Sequence, residues 1–191
     1  MKAHAARALG TLGDRDSVPS LIKQVQTNPD FGLRVACASS LGKLKVTEAT
    51  PDLLHILYLD SYPQSRREMG LSLARLLDAE RKYIELNRKL DEDPGTALAQ
   101  EMDVLRNTLK RYAEDPAVIA NLMDARDQFA LGNLERGFVH LSDTIDLVLP
   151  QQTELHYQQI LRECSLRIRE FGKDRLEYPI LSVIVLGRGM K

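Results

Sequence analysis

The histidines and cysteines of this sequence are the residues best suited to bind a metal ion or to attack a substrate, and their spacing favours neither role. The histidines form no HExxH motif or similar pair, which zinc sites usually need. Cys37 and Cys164 form no CxxC pair, and we interpret them as small buried thiols in a reducing compartment. A fold could still bring either thiol beside a histidine. The histidines are His4, His55, His140 and His156.

Charged side chains offer two further possibilities for chemistry. The acidic run at residues 91–93 could supply an acid–base pair, but a solvated turn and helix cap is the favoured interpretation, because nothing nearby would desolvate it. Arg66 and Arg67 could bind a phosphate, although we favour Arg66 packed against the preceding repeat and Arg67 in water. The glycines form neither GxxxxGK nor GxGxxG. The sequence therefore predicts no catalytic residue, no metal site and no cofactor.

The charge balance argues against nucleic acid as a partner. The 191 residues include 26 basic and 27 acidic side chains, for a formal net charge of −1, whereas binding to phosphates needs a surplus of Lys and Arg. Hydrophobic residues make up 43% of the chain and charged residues 28%, which is typical of folded proteins. The apolar run at residues 178–186 is too short to span a membrane, and the polar start is unlike a signal peptide. We therefore expect a cytoplasmic protein.

A period of 32 residues organises the elements that would position these side chains. The motif Leu-Gly-x-Leu at residue 9 recurs at residue 41 and, as Leu-Ala-x-Leu, at residue 73. Around each copy, small or apolar residues fall at i, i+3, i+4 and i+7, which marks one face of a helix. Residues 6, 38 and 70 are Ala, Ala and Gly, which predicts a flat face that a neighbouring helix approaches closely. Each repeat is predicted to contain two helices joined by short turns.

Capping residues predict where these helices begin and end. The segment Asn28-Pro29-Asp30 is expected to cap a helix over residues 31–44, and Thr47 the next helix, which reaches residue 59. Ser61 followed by Gln64 has the pattern of a capping box, with Pro63 in the first turn.

The segment from Asp30 to Leu44, D-x-x-L-R-x-A-x-x-x-x-L-G-x-L in one-letter code, resembles the HEAT-repeat pattern, in particular the short bacterial type named after phycobilisome lyases. The resemblance covers roughly residues 1–90 and implies an all-α fold, an α-solenoid of stacked antiparallel helix pairs. Residues 1–92 are accordingly predicted to form the HEAT-like repeats.

The sequence differs from the HEAT-repeat pattern in two places. The resemblance implies a ladder between an Asp ahead of each first helix and an Arg within it, and this ladder should break where Tyr62 takes the place of Asp30. Lys2 aligns with Arg34, so the first repeat is truncated. We interpret the chain as a fragment or one end of a longer array, whose uncovered first helix could self-associate. The alternative is a frayed native start.

The period fades over residues 93–191, which are predicted to be degenerate helical repeats continuing the same solenoid. Asp93-Pro94 and Asp115-Pro116 each have the pattern of a cap followed by a first helical residue. Residues 132–150 are similar to half of a tetratricopeptide unit, and residues 122–161 resemble the helical-repeat region attached to nucleotide-translocase-like transporters. For residues 179–186 we favour a short buried closing helix over a strand, because an isolated strand would lack a partner.

A stacked array offers a surface in place of an active site, because its second helices line the inner wall. The 32-residue shift aligns outward positions of these helices into a mixed stripe with two apolar residues at its centre, as at many protein interfaces. Contact of those two residues with adjacent helices is an equally weighted alternative. The candidate partner-binding stripe comprises Lys23, Gln24, His55, Ile56, Leu59, Asn87 and Arg88.

The sequence therefore predicts a non-catalytic helical-repeat scaffold that binds a protein partner, as a fragment or regulatory portion of a larger protein. A bilin-lyase-like activity, implied by the repeat subtype, is one alternative, although the scarcity of aromatic residues argues against a chromophore cleft. A helical-repeat nucleic-acid binder is the other, and it would need a basic inner wall.

Overall fold

A computed structural model describes residues 2–189, and every regular element in that range is helical. The predicted all-α class is confirmed. Short 3-10 turns lie at Thr47–Ala49, Leu149–Gln151 and Gly172–Arg175. The α-helices are α1 Lys2–Leu12, α2 Val18–Thr27, α3 Phe31–Lys43, α4 Thr50–Leu59, α5 Pro63–Leu76, α6 Glu80–Glu92, α7 Pro94–Leu109, α8 Pro116–Ala130, α9 Leu134–Val148, α10 Leu155–Phe171 and α11 Glu177–Leu186.

The chain forms two compact units, divided between Arg81 and Lys82. In the first unit, α1 packs on α3 and α3 on α5, while α2 packs on α4, so equivalent helices of successive repeats lie side by side. The predicted stacking of helix pairs is confirmed there. That residues 93–191 continue the array of residues 1–92 stays a prediction.

The same close contact recurs at the 32-residue period. A Cβ added to Gly10 would lie 2.6 Å from the Ser40 Cα, and one added to Gly42 would lie 2.4 Å from the Ser72 carbonyl oxygen. Ser40 also donates a 2.7 Å hydrogen bond from its hydroxyl to the Ala6 carbonyl of α1. Successive layers of the first unit therefore meet at backbone distance, through equivalent residues.

The apolar face of the first helix is less covered than its counterparts. Leu12 is 80% exposed, whereas Leu44 is 5% and Leu76 is 4% exposed. Self-association through this helix stays a prediction.

Three of the predicted aspartate caps are confirmed. The Asp30 carboxylate accepts a 3.2 Å hydrogen bond from the Leu33 N–H, and that of Asp93 accepts one of 3.1 Å from the Thr96 N–H. Asp115 accepts a 2.8 Å bond from the Ala117 N–H. Each satisfies one of the backbone donors that a helix start leaves unpaired.

Two other predicted caps are wrong. Thr47 begins a 3-10 turn, and Ala49 precedes α4. The Ser61–Gln64 capping box does not form, because α5 starts after Tyr62, one residue later than that pattern requires, and Tyr62 makes no side-chain cap. Tyr62 does take the place of Asp30 at the helix start, as the sequence comparison of the repeats predicts.

The second unit has a continuous apolar core, and two predicted stripes line it. Met102 of α7 and Phe129 of α8 are each 0% exposed, and the Phe129 and Phe138 rings meet edge to face with centroids 5.3 Å apart. The ambiguous tail forms α11, in which every residue is buried. The predicted closing helix is confirmed. The two stripes are Leu98, Met102, Leu105 and Leu109, and Val118, Leu122, Ala125 and Phe129.

Candidate functional site

The cysteines are placed for packing. Cys37 is 1% and Cys164 is 0% exposed, and both are free thiols, as the sequence predicts. Burial raises the pKa of each thiol, that of Cys164 most strongly, so the reactive thiolate is disfavoured. Among residues 2–189, no three His, Cys, Asp or Glu side chains are grouped to hold a metal ion.

The charged candidates also have structural places. Asp93 caps α7, and its hydrogen bonds with Thr96 hold the pKa of its carboxyl below the ordinary value. Arg66 is 8% exposed and donates a 3.0 Å hydrogen bond to the Ser61 carbonyl, while Arg67 is exposed. These contacts stabilise helix ends and the turns that precede them.

The residues of the predicted stripe differ in exposure and belong to different units. In the first unit, Lys23, His55 and Leu59 are exposed, Gln24 is half-buried, and Ile56 is only 7% exposed. In the second unit, Asn87 is half-buried and Arg88 is exposed, with an ion pair of 2.6 Å to Glu92. The stripe as one binding surface stays a prediction.

A groove of about 390 Å³ includes the two apolar residues of that stripe. It opens in the first unit where α2 and α4 end and α3 and α5 begin. The sequence analysis identified Ile56 and Leu59 as a possible contact surface. It considered Ser61 and Tyr62 only as residues at a helix start and did not place them beside that surface. The groove is lined by Gln26, Phe31, Arg34, Ile56, Leu59, Asp60, Ser61 and Tyr62.

One wall of the groove is apolar and exposed. Leu59 is 57% and Tyr62 is 72% exposed. Tyr62 projects from a position where the preceding repeat has a capping aspartate, so its ring takes no part in capping the helix. Large apolar side chains at a concave edge are typical of surfaces that bind other molecules.

The charged residues of the groove are Arg34 and Asp60. The Arg34 guanidinium donates a 2.6 Å hydrogen bond to the Asn28 carbonyl and lies over the Phe31 ring, 5.1 Å from its centroid. Asp60 is 6% exposed; one carboxylate oxygen accepts a 2.9 Å bond from the Tyr62 N–H, and the other accepts none. The groove thus offers apolar area and one unsatisfied acceptor, a combination suited to recognition.

A second cavity, of about 520 Å³, lies in the second unit at the start of α9. Its charged residues, Glu135, Arg136 and Lys173, are all exposed and of both signs. It lacks the buried polar group and the apolar wall that distinguish the groove.

Comparisons with known proteins agree with the periodicity. The family model of HEAT repeats matches residues 1–74. The chain is 47% identical over 57 residues to the phycocyanobilin lyase subunit alpha of Nostoc sp. strain PCC 7120, a match that covers 30% of this chain and 20% of that protein. The chain thus spans about a fifth of the length of this curated relative. No solved structure matches the chain.

None of the helices between residues 2 and 189 combines the length and the apolar character needed to cross a bilayer.

Proposed function

We propose that the chain is a non-catalytic scaffold that binds a protein partner, because the family model of HEAT repeats matches residues 1–74. The groove between the ends of α2 and α4 and the starts of α3 and α5 is the proposed point of contact. The observation that carries the proposal is the exposure of Leu59 and Tyr62, 57% and 72%, beside the groove.

Burial of this apolar wall supplies the driving force. Covering apolar surface stabilises a complex by about 25 cal/mol per Å², so two large side chains contribute a substantial part of a moderate affinity. Leu59 is the last residue of α4 and Tyr62 immediately precedes α5, so the adjoining helices restrict the backbone at both positions and limit the entropy lost on binding. Polar residues at the rim, such as Gln26 and Ser61, leave the unbound groove compatible with water.

Site-specific photo-cross-linking tests this proposal. Benzoylphenylalanine in place of Leu59, in the cells that naturally make the protein, should capture a defined partner. The matched control is the same substitution at Val104 of the second unit, whose exposure of 56% is close to the 57% of Leu59. Identical adducts from both positions, or none from Leu59, would refute partner binding at the groove.

A lyase-like role is a second candidate, because a protein similar to part of this chain is a phycocyanobilin lyase subunit. If this chain handles a bilin, mixing it with a linear tetrapyrrole should change the visible absorbance spectrum. An unchanged spectrum would refute the lyase-like role. It would not affect the scaffold proposal, because binding of a protein partner does not change the visible absorbance.

A further inference from the structure

We propose that the groove binds a linear segment of the partner in which a Lys or Arg side chain lies next to an apolar side chain. The basic group pairs with Asp60, and the apolar group packs on Leu59 and Tyr62. This inference rests on the proposed function and specifies the chemistry of the partner.

The first argument is the state of the Asp60 carboxylate. The side chain is more than nine-tenths buried, yet one of its oxygens accepts no hydrogen bond. A buried carboxylate without a full set of donors is destabilising, so buried acidic groups in folded proteins are normally paired. A cationic donor from outside would satisfy this oxygen.

The second argument comes from the preceding repeat, where the equivalent residue is satisfied. Asn28, 32 positions earlier, accepts a 2.8 Å hydrogen bond from the Asp30 N–H, just as Asp60 accepts one of 2.9 Å from the Tyr62 N–H. The other side-chain atom of Asn28 then donates a 2.6 Å bond to the Gln24 side chain.

In the next repeat both members of that pair are changed. Gln24 is replaced by Ile56, which has no polar side-chain atom, and Asn28 is replaced by the charged Asp60. The turn is retained, but the internal partner is lost and a negative charge is added. Departures from a repeated local pattern, when nothing in the fold compensates for them, tend to mark functional positions.

The cation of the groove does not satisfy Asp60. The Arg34 guanidinium is directed to the carbonyls of Asn28 and Pro29, at 2.6 and 3.4 Å, and to the Phe31 ring. The buried Nε atom of Arg34 has no hydrogen-bond partner either. A peptide supplies both missing groups, because its basic side chain donates to Asp60 and its backbone carbonyl accepts from Arg34.

The apolar wall favours an apolar residue in the peptide next to its Lys or Arg. Leu59 and Tyr62 offer aliphatic and aromatic surface, and the Tyr62 ring can also attract a cation through its face. A nucleic acid fits poorly, because its phosphates would meet the Asp60 carboxylate. The geometry therefore favours a basic–apolar peptide.

Selection from a displayed library of random linear peptides tests the inference. Peptides enriched on the wild-type chain should carry Lys or Arg within two residues of a large apolar side chain. Their affinity should fall at least about tenfold for Asp60→Asn, as expected when a buried charge pair loses one charge. Glu48→Gln, an exposed change of equal charge in the same unit, should leave the affinity unchanged.

A second variant separates recognition from folding. Ile56→Gln combined with Asp60→Asn recreates the Gln24–Asn28 pair of the preceding repeat, so the chain should stay folded while losing its preference for basic peptides. Any of three results would overturn the inference. The enriched peptides could lack a basic residue, they could bind the wild-type chain and Asp60→Asn with equal affinity, or single-stranded DNA could displace them. If one of these results is obtained while photo-cross-linking at Leu59 still captures a defined partner, only the inference about the peptide fails. If cross-linking at Leu59 captures no partner, the proposed function fails as well.

Discussion

Replacement of Gly42 by leucine should unfold the first unit under conditions in which the unmodified chain is stable. Even a Cβ at this position would lie 2.4 Å from the backbone carbonyl oxygen of Ser72, and a leucine adds three more carbons between α3 and α5. Because the obstructing atom belongs to a helix backbone, relief requires separation of the two layers. We expect a loss of roughly 3 kcal/mol, which is a large fraction of the stability of an ordinary domain.

Urea unfolding followed by far-UV circular dichroism measures this effect. Gly32→Ala is the matched control, because its added Cβ would meet only the Asp30 side-chain oxygen, at 3.3 Å. That change should alter the free energy of unfolding by no more than about 0.5 kcal/mol. Gly10→Leu, at the equivalent position one repeat earlier, should also be destabilising. An unchanged midpoint for Gly42→Leu would show that the layers do not meet as described.

Replacement of Phe129 by alanine should have a comparable effect on the second unit. Its ring is fully buried and packs edge to face on Phe138, so its removal should cost roughly 3–5 kcal/mol through lost burial and the cavity left behind. The measurement is the midpoint of urea unfolding, with Val104→Ala as an exposed control. A loss below about 1 kcal/mol for Phe129→Ala would contradict this packing.

Gly137 provides an internal check of the same contact. A Cβ there would lie 2.3 Å from the Phe129 ring, so Gly137→Ala should be destabilising while the ring is present. When Phe129→Ala has already removed the ring, the added methyl group should cost much less. The double-mutant cycle should therefore show a coupling energy on the order of 1 kcal/mol or more, and strict additivity would count against the contact.

The periodicity of the sequence was sufficient to predict the layered helices, because each repeat can bury its apolar stripe only against the next. The sequence prediction placed the close approach at residues 6, 38 and 70, and the Ser40 hydroxyl does bond the Ala6 carbonyl. Close contacts that the sequence prediction did not name lie at Gly10 and Gly42. A helix with several small residues does not reveal from its sequence which of them contacts the neighbouring helix, because that depends on how the two helices pack.

Caps were predicted correctly where an aspartate stands immediately before the helix. The predictions at Thr47 and Ser61 were wrong because neighbouring side chains form the local bonds at these helix starts. Thr47 accepts at its backbone carbonyl from the Thr50 hydroxyl, within a 3-10 turn. At the start of α5, the Asp60 carboxylate bonds the Tyr62 N–H, and the helix begins one residue later than Ser61 would set it.

The groove was predictable only in part. Ile56 and Leu59 follow from the 32-residue shift applied to the second helices. Asp60 gives no comparable signal, because a linker aspartate is ordinarily exposed. Its burial to 6% exposure and its unpaired oxygen depend on the surrounding helix ends. The sequence shows that Tyr62 departs from the repeat, but only the structure shows that its exposed ring lines the groove.

Binding at the groove is tested most directly by the affinity of the partner captured at Leu59 for two charge variants. Leu59→Glu places a carboxylate on the apolar wall and should weaken binding at least about tenfold. Val104→Glu introduces the same side chain at a residue of nearly equal exposure in the second unit, and it should leave the affinity unaltered. Equal affinities for Leu59→Glu and the wild-type chain would contradict recognition through the groove.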